Sequence, residues 1–180
     1  MNSPEEIANK IVQYFAKDSF RLIREKQFIR EFDFEGYDQV EQDRIFNEIV
    51  ASAIVLSALM FETLAQKITN DESKQFFANL YIETMSEYSN ILKNNGVEQH
   101  FCQIWKDLLE MRIKEYRKDY KTYRKEFEKD SNPWSQIVAI GGFQHITRGK
   151  GKAGSEAFQI FIRWIANMAS FVLKTVTRNT

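Results

Sequence analysis

Both prolines of this chain stand directly behind a residue that caps a helix, in Ser3-Pro4 and Asn132-Pro133. Proline suits the first helical position and breaks a helix further in. With its 2 prolines at such starts, and 5 of its 7 glycines gathered between residues 141 and 154, the sequence has almost nothing to interrupt long helices elsewhere. Other starts are equally marked. Glu6 completes a capping box with Ser3, Asp38 and Glu41 repeat the pattern, Asn70 or Asp71 opens a further helix, and Ser155-Glu156 opens the last. The stretch FDFEGYD ends the first helix near residue 33, and Gly96 suits a left-handed C-terminal cap. Gly141 and Gly142 are read as the end of a short helix. Helices are thus expected over 4–32, 39–69, 71–94, 97–130, 133–142 and 155–177. No stretch sustains the alternation of a strand. The expected fold class is all-α: residues 1–180 as one bundle of five to six helices, mostly antiparallel neighbours with short connections and one glycine-rich loop.

Two segments are apolar on nearly every side, 49–68 and 157–173, as central helices are. The longest apolar run, IVASAIVLSALMF, covers 13 residues, which favours a buried helix over a stable membrane span. Along the second segment Gln159, Arg163 and Asn167 mark one wet edge, with Arg163 placed to seek a carboxylate of the acidic half. The N-terminus carries no basic and apolar leader, and 1 cysteine excludes an internal disulfide. A cytoplasmic location is the expectation. Cys102 and 2 histidines do not supply a four-ligand zinc site. Glu48 and Glu62 share a helix face, as do Glu83 and Glu87, yet the Glu-x-x-His pairs of di-metal bundles are missing. Glu62 directly follows an apolar run; a carboxylate buried there would either find a partner or shift its pKa. His100 and Cys102, two residues apart on a helix, do not face each other. No cofactor, metal or catalytic signature is indicated.

Two features point to binding. The first is an apolar seam, Ile113, Tyr116, Tyr120, Tyr123 and Phe127, at gaps of 3, 4, 3 and 4. On a helix expected to outrun a compact bundle, it reads as a ring-lined ridge for a protein partner or a second copy of the chain. The second is the loop RGKGKAG ahead of the last helix. Its glycines allow close backbone approach, and Arg148, Lys150, Lys152 and Ser155 stand at a helix N-terminus, which attracts anions. It matches neither the Walker nor the dinucleotide pattern. Together with the basic stretch 111–130, which holds 8 Lys and Arg, it supports a phosphorylated ligand or nucleic acid as the alternative partner, against the plainer reading of a solvated connector. The charge is divided: residues 1–100 hold 10 Lys and Arg against 17 Asp and Glu, and residues 101–180 hold 15 against 8. Complementary pairing inside one folded body is the simplest use of that division.

Overall fold

The computed structural model describes residues 2–126 and 132–178. They form seven α-helices: α1 (Pro4–Leu22), α2 (Lys26–Phe32), α3 (Gln39–Lys67), α4 (Asp71–Asn94), α5 (Gln99–Tyr123), α6 (Pro133–Ile146) and α7 (Glu156–Thr177), with a 3-10 turn at Phe34–Gly36 and no strand among the described residues. The bundle is built around α3, which packs against α1, α4, α5, α6 and α7. Residues Ile49 to Phe61 are all buried, so this helix needs no polar face along its middle. Both α3 and α7 are long and apolar enough to cross a membrane by length and composition; 78% and 50% of their apolar windows are buried inside the bundle.

The capping signals act as local chemistry requires. Ser3 accepts from the Glu6 amide at 3.2 Å while Glu6 accepts from the Ser3 amide at 2.9 Å. Asp38, Asn70 and Ser155 each accept from a first-turn amide of α3, α4 and α7. Glu41 does not return the favour to Asp38; its carboxylate binds Arg44 and Arg148 instead. Gly96 takes φ +80° past α4, and the Val97 amide reaches the Leu92 carbonyl at 3.0 Å, closing a Schellman turn.

The helix expected over 4–32 is two. The chain turns at Ile23–Glu25, where Glu25 is extended, so that α2 folds back toward α7. The turn buries Phe28 and Phe32, whose rings stack at 4.2 Å, and sets Phe32 edge-on to Phe143. Burying two phenylalanines outweighs the continuity of a helix that no proline or glycine interrupts. The helix expected to end at Gly141 and Gly142 also differs: α6 runs on to Ile146. Both glycines lie inside it, facing neighbours at a distance no side chain permits. A Cβ on Gly141 would fall 2.4 Å from the Tyr116 ring, and one on Gly142 would fall 2.5 Å from Ser52 Oγ. The close approach of α6 to α3 and α5 outweighs the roughly 1 kcal/mol that glycine costs in a helix.

The α6 stop comes at Thr147–Gly149. Arg148 occupies the left-handed position with φ +53°, where glycine is usual, and the Gly149 amide reaches the Gln144 carbonyl at 2.8 Å. Arg44 of α3 donates to the His145 and Ile146 carbonyls at 2.8 and 2.7 Å, satisfying the exposed end of α6.

Candidate functional site

The tyrosine seam is divided by this packing. Ile113 and Tyr116 are buried, Tyr116 completely, between α3 and α6. Burial pushes its phenol far above the usual range. Tyr120 is half-buried and stacks on Trp134 at 4.3 Å, Tyr123 is exposed, and Phe127 lies outside the described residues. The ridge expected to stand free is, over Ile113–Tyr120, the seam that seats α6. The reason is local: two glycines leave the α6 surface bare, and the Tyr116 ring fills that space.

The exposed apolar face of α5 is a different stripe. Phe101, Ile104 and Met111 are 56%, 50% and 52% exposed, with Leu108 half-buried between them. Their gaps are 3, 4 and 3 residues, so they form one line along the helix. The buried line of the same helix holds Cys102, Trp105, Leu109, Ile113 and Tyr116. α5 is therefore apolar on two faces, and only one is covered. Ile104, Leu108 and Met111 of the open stripe form a wall of a groove of about 590 Å³ against the first turns of α3, where Val40 is 78% exposed.

The floor and rim of this groove carry charge. On the floor Glu48 accepts a forked pair of hydrogen bonds from Arg112, at 2.6 and 3.0 Å, and both side chains are nine-tenths buried. Burial works against the Arg112 charge, but the Glu48 hydrogen bonds and carboxylate outweigh it and hold the guanidinium above its usual range. Arg112 also reaches Glu115 at 3.2 Å, and Glu115 meets His145 Nε2 at 2.9 Å. The floor is thus neutralised in place. Asp43 and Asp107 form the rim, accepting from Gln39 at 2.7 Å and from Gln103 at 2.8 Å. Such a site offers apolar walls for side chains and acidic edges for cations; its floor carboxylate is engaged rather than poised as a base.

The basic loop is arranged otherwise than its sequence implied. Arg148 turns away to Glu41, which it binds at 2.6 and 3.0 Å. Hydrogen bonds from Arg44 and then Arg148 pull the Glu41 carboxyl down to about 2. Lys150 and Lys152 line a cleft of about 320 Å³ with Gly151, Ser155 and Glu31, floored by Phe32, Ile45 and Phe143. Three of the four candidate anion ligands therefore share a cleft, and Arg148 acts as the stop of α6.

The candidate carboxylates are dispersed rather than gathered. Glu62 is forked by Arg117 at 2.8 and 3.2 Å, and Glu87 accepts from Asn9. Glu48–Arg112, Glu62–Arg117 and Glu41–Arg148 each join the acidic half of the sequence to the basic half. Arg163 pairs at 3.6 Å with Glu156 of its own helix. Cys102 is buried and its thiol faces the Val97 carbonyl.

The comparisons with known proteins are silent. No family model, curated protein or solved structure matches the chain.

Proposed function

We propose that this protein acts by protein–protein interaction, docking a partner's apolar side chains into the groove between α3 and α5. The observation that carries the reading is the second apolar stripe of α5. Phe101, Ile104 and Met111 stand about half-exposed on a helix whose adjoining face already fills the core. A lone exposed apolar residue is ordinary, but a row at helical spacing beside a groove is the anatomy of an interface. Covering these three, with Val40 opposite, would return roughly 1 kcal/mol each from their remaining exposed area. A photo-crosslinking amino acid at Met111, in cells that express the protein, is expected to yield a discrete protein adduct. The same group at Ile82, exposed on α4, is the control. Equal labelling at both sites, or none at Met111, would refute the reading.

A second reading keeps the cleft at the N-terminus of α7 as a site for a phosphorylated ligand or nucleic acid. It is favoured by Lys150, Lys152 and Ser155 lining one cleft. The basic residues of α5 lend it less, since Arg112 and Arg117 are engaged by Glu48 and Glu62. Binding of a single-stranded oligonucleotide, followed across salt concentration, tests it. Replacing both lysines with alanine should flatten the salt dependence; an unchanged slope removes the loop from consideration.

A further inference from the structure

The cleft at the start of α7 has two unlike walls. One is basic and pinned in place. The Gly151 amide donates to Thr147 Oγ1 at 3.0 Å, the Lys150 amide to the Thr147 carbonyl at 3.1 Å, and the Ser155 amide to the Lys152 carbonyl at 3.1 Å. A Cβ on Gly151 would fall 2.3 Å from the Phe143 ring, so the main chain between the two lysines lies directly on the cleft floor. Lys150 and Lys152 therefore leave the backbone at fixed points on one rim. The ion pairs nearest them are Arg30–Glu31 and Arg148–Glu41, which leave both lysines without a carboxylate in reach among the described residues.

The facing wall is acidic. Residues 31–38 hold Glu31, Asp33, Glu35 and Asp38 and no cation. Glu31 lines the cleft and is bound by Arg30 at 2.8 Å; Asp38 caps α3. Tyr37, 41% exposed, brings an aromatic ring from this segment to the cleft. Below lie Phe32, Ile45, Phe143 and Ile146, all part of the core and fixed by it. Glu156, close to the lysines in sequence, is turned to Gln27 and Arg163.

These features choose between the two ligands of the second reading. A single-stranded nucleic acid occupies about 4–16 nucleotides of a site, and its further phosphates would run out past the four carboxylates of 31–38. A cleft of about 320 Å³ sits at the small end of the roughly 300–1,000 Å³ of small-molecule sites. A ligand with one phosphate at one end and a flat ring at the other finds matching chemistry at both, and the acidic wall sets its direction. Resting on that second reading, we propose that the cleft binds a small aromatic phosphate monoester rather than a nucleic-acid strand. Lys150 and Lys152 hold the phosphate. The Ser155 oxygen accepts from the Phe158 amide at 3.2 Å, so its hydrogen is left to donate to the phosphate. The ring lies against Tyr37, over Phe32 and Ile146.

Isothermal titration calorimetry on the full chain tests this. Adenosine monophosphate and phenyl phosphate are the probes, with adenosine and inorganic phosphate as the separate halves. At least one of the two ring phosphates should bind at least about tenfold more tightly than inorganic phosphate or adenosine. Replacing Lys150 and Lys152 together with alanine should weaken it by at least about tenfold. Tyr37→Ala should weaken it by about threefold or more and leave inorganic phosphate unchanged. All three side chains are exposed, and circular dichroism verifies the fold of each variant. Inorganic phosphate bound as tightly as both ring phosphates overturns the proposal. A single-stranded oligonucleotide bound more tightly than either ring phosphate, with a salt dependence flattened by the double lysine variant, keeps the second reading as a nucleic-acid site and overturns the monoester. If no phosphate-bearing probe binds, or if binding ignores the lysine variant, both readings fall.

Discussion

Replacing Arg112 with methionine isolates what holds the floor of the groove. In the native protein the guanidinium and the Glu48 carboxylate are 10% and 9% exposed and joined by two hydrogen bonds. Methionine fills much of the same volume but leaves Glu48 without a cation in a site that admits little water. Breaking a buried pair on one side costs about 3–5 kcal/mol, because the remaining charge keeps its desolvation penalty. Replacing both partners with apolar residues of similar size is often neutral. Arg112→Met is thus expected to lower stability by about 3–5 kcal/mol, and Glu48→Leu in the same chain to recover most of it. For a chain of this length each kcal/mol moves the melting temperature by about 2–4 °C, so the single variant should melt roughly 6–20 °C lower. Urea unfolding at neutral pH, with the slope of the transition compared between variants, measures both effects. A loss below about 1 kcal/mol at unchanged slope would mean that water reaches Glu48 as it reaches a surface pair. A double variant as unstable as the single one would refute the argument that an unpaired charge, rather than lost packing, is the cost.

Gly141→Ala should destabilise by about 1–2 kcal/mol net, the clash with the Tyr116 ring exceeding the gain in helix propensity; a higher urea midpoint would show that the ring yields freely. Arg148→Gly should be more stable than Arg148→Ala by about 1 kcal/mol, because both lose the Glu41 pair but only glycine relieves the left-handed backbone; equal urea midpoints would count against strain at that turn. The Glu41 carboxyl, held near 2 by Arg44 and Arg148, contributes stability that is full above the ordinary carboxylate range and is lost as the pH falls toward 2. Glu41→Gln should therefore be less stable at neutral pH and show a flatter decline in urea midpoint from about pH 4.5 downward; parallel curves would place the acid sensitivity elsewhere.

The elements decided by neighbouring residues were legible in the sequence. Ser3, Asp38, Asn70 and Ser155 cap the helices their positions imply, because a cap is a contact over three residues. The all-helical class follows from the same signals. What sequence alone did not reveal was decided between elements. The bend at Ile23–Glu25 has no breaker; it exists because Phe28 and Phe32 reach the core only if the chain turns. Gly141 and Gly142 carry a helix-ending signal, and the approach of Tyr116 and Ser52 reverses its meaning. The expectation of a free ridge fails at Ile113 and Tyr116 for a related reason. A tyrosine seam and a Phe101–Met111 stripe both have heptad spacing, and spacing does not say which of two apolar faces a neighbouring helix will cover. The pairing of adjacent Gly141-Gly142 with a large ring one helix away was the available hint that the seam faces inward.

The bare stretch of α6 has a mechanical consequence. Most helix contacts are made by side chains, which hop between rotamers and absorb small displacements. At Gly141 and Gly142 the α6 main chain itself lies against the Tyr116 ring of α5 and the Ser52 hydroxyl of α3, so only one side of each contact keeps that cushion. These three helices are thereby coupled to shift as one stiff block.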